Sequence, residues 1–131
     1  MIFKSADQKR ERRDRFQAGN GGGYCTHALE PGRQIRGSRF HQASRVELDP
    51  GAVISEHLHS DNEEMYWILS GSGLFIDDGI EVAALPGDLL LTEQGHRHGL
   101  RNTGSEPLVF LAIVAGAPHF PPGPNTTQPP K

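Results

Sequence analysis

Two histidines one residue apart, with a glutamate five positions further on, are the residues of this 131-residue chain best suited to chemistry: His57, His59 and Glu64. On a strand, His57-x-His59 sets both imidazoles on one face, because side chains repeat every two residues. After a turn, Glu64 opens an apolar run in which Glu64, Tyr66 and Ile68 share one face and Met65, Trp67 and Leu69 the other. Glu64 can therefore point into the space the two imidazoles face, while alternation directs the adjacent Glu63 away. Neutral imidazoles with one carboxylate suit Mn, Fe, Co, Ni, Cu or Zn better than Ca or Mg, which favour oxygen-only sites. An isolated His-x-His is a weak signal, and the residues around it decide its meaning.

Other residues are weaker candidates. Tyr66 lies on the Glu64 face and can aim its hydroxyl into the same space, or serve as a buried structural tyrosine. Gln42 and Ser44 share a face with Val46 and Leu48, as a polar wall of a substrate pocket or as a water-bridged structural pair. Met65 and Trp67, on the opposite face from Glu64, read as packing or subunit contacts. Cys25 has no sequence neighbour that would activate its thiol, which argues against a nucleophilic role.

The elements that must position these residues are mostly strands. Residues 39–48 alternate with a period of two, and Asp49-Pro50-Gly51 closes them with a type II turn. Further strands are expected over residues 53–59 and 64–69. Residues 74–76 and 80–82 read as a hairpin around Asp78-Gly79. Leu85-Pro86-Gly87-Asp88 is a second Pro-Gly turn, leading into a strand over 89–92, and a long strand covers 107–115. Strands with no intervening helices predict an antiparallel sandwich or barrel, an all-β fold. The one helix expected is short and N-terminal, over residues 5–16, where Ser5 and Gln8 have capping-box spacing. The organisation expected is a polar N-terminal segment (1–22), one barrel domain (23–116) and a Pro-rich tail (117–131).

Composition narrows the function classes. The net charge is −3, and the six basic residues between Lys4 and Arg15 lack interleaved aromatics, so they read as a solvated face. A nucleic-acid partner is not expected. No apolar run approaches the ~20 residues of a membrane helix, and residues 1–16 have no apolar core of a secretory signal. With one cysteine, Cys25, an internal disulfide is impossible and a reducing cytoplasm is the expected setting.

The wider spacing carries a resemblance. Gly51-x5-His57-x-His59-x4-Glu64-x6-Gly71 resembles the first motif of the cupin superfamily. Gly87-x5-Glu93-x-Gly95-x2-His98-x3-Asn102 resembles the second, with Glu93 where that motif usually has Pro. From about residue 20 to 115 the chain is similar to small single-domain bacterial cupins with a short polar N-terminal segment. The resemblance implies a double-stranded β-helix, or jelly-roll, barrel. Carried over by position, it implies metal ligation by His57, His59, Glu64 and His98. Three imidazoles and one carboxylate would leave a six-coordinate divalent ion two open positions for water or a small polar ligand. His96 and Glu93 join Tyr66 as candidate catalytic, proton-transfer groups, His96 being equally a plain loop residue. The function expected is a metal-dependent enzyme acting on a carboxylate or sugar-like molecule; the alternative is a non-catalytic binding or sensing cupin. Strands apolar on both faces call for a second subunit, so a homodimer is expected.

Overall fold

Short apolar runs separated by Pro-Gly and Asp-Gly dipeptides fold as strands in the computed structural model, which describes residues 1–33 and 35–120. In chain order these are β1 (Arg10–Arg13), β2 (Gly23–Leu29), β3 (Phe40–Leu48), β4 (Val53–Leu58), β5 (Asn62–Ser70), β6 (Gly73–Asp77), β7 (Ile80–Ala84), β8 (Leu89–Thr92), β9 (Arg97–Asn102) and β10 (Leu108–Gly116). They form a six-stranded sheet in the order β1-β2-β3-β10-β5-β8 and a four-stranded sheet in the order β4-β9-β6-β7. Every pairing between these strands is antiparallel. The sheets pack face to face as a jelly-roll barrel. Among the described residues no helix is long and apolar enough to cross a membrane.

The turns follow their residues. Ala52 N–H donates to Asp49 O at 3.0 Å with Gly51 at φ +78°, the positive φ that a type II turn needs after Pro50. Asp88 N–H donates to Leu85 O in the same way, with Gly87 at φ +92°. Asp78 and Gly79 both have positive φ, which makes the β6–β7 link a type I′ hairpin matched to strand twist.

Leu48, Ile68, Leu100, Leu108 and Phe110 fill the space between the sheets and are almost completely buried. Strand register places the inward side chains of the larger sheet in rows. One row runs Gln42, Val114, Glu64, Thr92; the next runs His27, Ser44, Ala112, Tyr66, Leu90; a third runs Cys25, Val46, Phe110, Ile68. The third row is apolar core. The first is polar at both ends, the second is polar from His27 to Ser44 and at Tyr66 before ending on Leu90, and both are apolar at β10.

The N-terminal helix is a correction. Residues 5–7 make a single 3-10 turn, in which Gln8 N–H donates to Ser5 O, and residues 10–13 form β1. Tertiary contacts override local helix propensity here. Arg10 and Arg12 pair with Glu47 and Asp49 at 2.8 and 2.7 Å, and both guanidinium groups lie over the Tyr24 ring. Residues 121–131, most of the Pro-rich stretch, lie outside the described residues.

Candidate metal centre

His57 lies near the end of β4, His59 just beyond it, Glu64 on β5 and His98 on β9, so the group joins both sheets. Register brings His57 directly opposite His98. The β4–β9 pairing shifts between Ile54 and His57, and Gly99 allows it: a Cβ there would lie 2.9 Å from Glu56 N and Ile54 O. The four ligand atoms lie within 4.8 Å of one another. His98 Nε2 is 2.9 Å from His59 Nε2, 3.1 Å from His57 Nε2 and 3.1 Å from Glu64 Oε1. His98 is fully buried, and His59 and Glu64 are 8% exposed each.

Each imidazole is held from behind. His57 Nδ1 lies 2.8 Å from Ser55 O, His59 Nδ1 2.6 Å from Asn62 Oδ1, and His98 Nδ1 2.7 Å from Thr92 Oγ1. A carbonyl oxygen only accepts, so His57 carries its proton on Nδ1, and the amide oxygen of Asn62 sets the same tautomer in His59. Their Nε2 lone pairs therefore face the cluster centre. With Thr92 Oγ1 accepting from His98, all three do. Converging lone pairs repel unless a cation lies between them, and outer hydrogen bonds of this kind orient metal-ligating histidines. Adjacent ligands on an octahedral ion with bonds of ~2.1 Å lie about 3.0 Å apart, close to the nitrogen spacings here. The donor set fits a divalent transition metal.

The electrostatics of the two outer imidazoles differ. Burial lowers the pKa of His57, and the neighbouring His98 and His59 lower it further, so its neutral, ligating form is favoured. Glu64 raises His59, favouring a protonated ring whose Nε2–H donates to the carboxylate; a bound cation would take the place of that proton. Burial pushes Glu64 upward, but its hydrogen bonds to His59 and His98 outweigh that, and its carboxyl stays below the ordinary range. Tyr66 stacks on His98 with ring centroids 4.8 Å apart and its hydroxyl 3.4 Å from Nε2. Burial, followed by the proximity of Glu64, raises its pKa well above the usual phenol value, so it stays protonated.

A cavity of about 300 Å³ opens beside the cluster, lined by Glu64, Tyr66, Ala112, Gln42, His27 and Arg13 among others. Gln42 lies on the cavity wall, whereas Ser44 is buried and does not line it. Glu63 is exposed on the far face of β5. Glu93 and His96 occupy the exposed turn before β9, and neither lines the cavity. The His96 ring lies 2.5 Å from Asp78 instead. Sequence reasoning missed Asn62 and Thr92, the residues that aim His59 and His98. Thr92 could have been found as a polar residue at an inward strand position.

The fold and site define a class. A family model of the cupin domain matches residues 44–114, and this chain belongs to that family. It is 32% identical over 114 residues to an oxalate-binding protein of Thermotoga maritima, covering 87% of this chain and 93% of the relative. It is 31% identical over 85 residues to the tetracenomycin polyketide synthase protein TcmJ of Streptomyces glaucescens, covering 64% of this chain and 57% of the relative. The crystal structure of a predicted oxalate decarboxylase from Thermotoga maritima superposes with a TM-score of 0.77 at 29% identity, covering 89% of this chain and all of that one.

Proposed function

We propose that this protein is a metal-dependent cupin enzyme whose His57, His59, Glu64 and His98 hold one divalent transition metal, and whose substrate is a small carboxylate. The convergence of Nε2 lone pairs on a buried carboxylate carries the reading. The bound ion supplies Lewis acidity and, if redox-active, electron transfer. The chain's own residues do the rest. Ser55, Asn62 and Thr92 fix the imidazole tautomers. Tyr66, kept neutral by burial, offers a hydroxyl proton to an oxygen arriving beside His98. The apolar row of Val46, Phe110 and Ile68 beneath excludes water from that side. Glu93 and His96, exposed on their turn, have no part in this reading.

A second reading, binding without turnover, is favoured by the oxalate-binding relative. One experiment separates the two. Elemental analysis of protein purified without added metal or chelator identifies the ion, and calorimetry with oxalate and related acids is then followed by product analysis. An enzyme converts an acid it binds and loses both metal and turnover in His98→Ala. A binder shows metal-dependent stabilisation with the acid recovered intact.

The assembly we propose is a homodimer. Trp67, Leu69, Leu89 and Leu91 are 43–56% exposed on the outer face of β5 and β8, with Trp67 opposite Leu89 and Met65 opposite Leu91. A contiguous apolar patch of this kind marks an association surface.

A further inference from the structure

Three arginines lie on β1, and they are not used alike. Arg10 and Arg12 face outward, ion-paired with Glu47 and Asp49. Arg13 faces the barrel mouth, where Nη2 lies 3.2 Å from His27 Nε2, and among the described residues it forms no carboxylate ion pair. A guanidinium only donates, so His27 Nε2 is the acceptor and the His27 proton is on Nδ1. That proton goes to Ser44 Oγ, 2.5 Å away, which also accepts from Gln42 Nε2 at 3.0 Å. Both acceptor sites of the serine oxygen are occupied, and its own O–H remains to donate. Burial, helped by the Arg13 charge, lowers the His27 pKa and keeps this tautomer neutral. The chain of contacts holds Arg13 at the cavity with most of its five N–H groups unspent.

Arg13 and Gln42 line the same cavity as Glu64 and Tyr66. Register gives the span. His27, Ser44, Ala112 and Tyr66 stand in one row across β2, β3, β10 and β5, three strand spacings of ~4.8 Å or about 14 Å. The middle of the row is Ala112, whose small side chain leaves the gap open. The cavity, at about 300 Å³, is larger than a two-carbon acid fills. A ligand lying along it meets Glu64 of the cluster and Tyr66 at one end, an apolar strip at β10, and a cationic fork at the other.

We propose that Arg13, positioned by His27 and Ser44, is a specificity-determining residue that holds the far carboxylate of a dicarboxylate of about 4–6 carbons, whose near end sits at the metal cluster. This deepens the reading above and rests on it. Gln42 adds an amide beside the same carboxylate, and the apolar strip of Ala112 and Phe110 receives the methylenes. Oxalate, the shortest dicarboxylate, is expected to bind at the cluster without engaging Arg13.

The test uses the full-length protein loaded with the ion found by elemental analysis, titrated calorimetrically with succinate, glutarate, butyrate, pentanoate and oxalate. The expected result is at least tenfold tighter binding of succinate or glutarate than of the monocarboxylate of equal length. Arg13→Gln should reduce that preference to within twofold, Arg13→Lys should keep part of it, and metal content and oxalate affinity should stay unchanged in both. A wild-type protein with no such preference overturns the proposal without any variant, as does a preference that persists in a folded Arg13→Gln protein. In either case, retained metal and oxalate binding leaves the metal reading standing. Protein that takes up no stoichiometric metal overturns that reading and this inference with it.

Discussion

The two faces of β5 are built from alternate residues of one nine-residue strand, yet they live under opposite rules. Inward, Glu64, Tyr66 and Ile68 are nearly inaccessible, and the two polar ones have defined partners. Outward, Glu63, Trp67 and Leu69 meet solvent, with two large apolar groups lacking cover. Burial makes each polar atom on the inner face consequential, because an unmet donor or acceptor there costs ~1–3 kcal/mol. On the outer face a charge is inexpensive and an apolar group is the anomaly. A strand with a two-residue period can therefore serve a reactive interior and an association surface at once.

The largest expected effect comes from two adjacent carboxylates that differ only in face. Glu64→Gln removes the charged ligand from a buried cluster, and its metal affinity should fall by at least a hundredfold in competition with a chelator. Glu63→Gln should leave affinity within twofold. Equal losses from the two variants would end the distinction between the faces. One shell further out, Thr92→Val deletes the acceptor behind His98 while keeping its shape. A loss of about 10–100-fold in metal affinity is expected, in line with other outer-shell contacts. The outer face is probed by Trp67→Glu with Leu91→Lys. Sedimentation should show a shift from dimer to monomer with metal content unchanged, and a wild-type protein already monomeric at micromolar concentration would remove the dimer from consideration.

The smallest effect lies at the exposed turn before β9. Asp78 raises the His96 pKa, and the Arg97 backbone N–H together with His96 lowers that of Asp78. A raised histidine pKa contributes stability that is complete below the ordinary value of ~6.5 and disappears as pH rises through the raised one. A lowered carboxylate pKa contributes stability above its ordinary ~3.9 that is lost as pH falls through the lowered value. Thermal melts of His96→Ala should thus differ slightly from wild type in mildly acidic buffer and coincide with it in alkaline buffer. A difference that grows with pH would contradict the pairing.

The ease of reading these regions from sequence differed for physical reasons. Glu64 was separable from Glu63 because β5 alternates cleanly, and the three Gly-containing turns have φ angles that follow from their residue types. β1 was legible as charge but not as strand. Arg10 and Arg12 are held by Glu47, Asp49 and Tyr24, partners far away in the sequence. β2 (Gly23–Leu29) shows no apolar alternation, since its inward side chains include Cys25 and His27. β9 has Gly99 at its centre, a residue that weakens strand signals and here serves the close approach of β4. Arg13 was hidden for the same reason as its strand: only pairing with β2 turns it toward the cavity.

The placement of His57, His59, Glu64 and His98 on both sheets would, with an ion bound, bear on how long the protein survives. β4 and β9 belong to one sheet and β5 to the other, so an ion held at their meeting point would rivet two layers that otherwise adhere through side-chain packing. When free metal stands a hundredfold above its dissociation constant, the unfolded fraction falls by about the same factor. Degradation that depends on opening would slow accordingly. The abundance of the folded chain would then follow metal supply, so scarcity would clear idle apoprotein without any dedicated sensor.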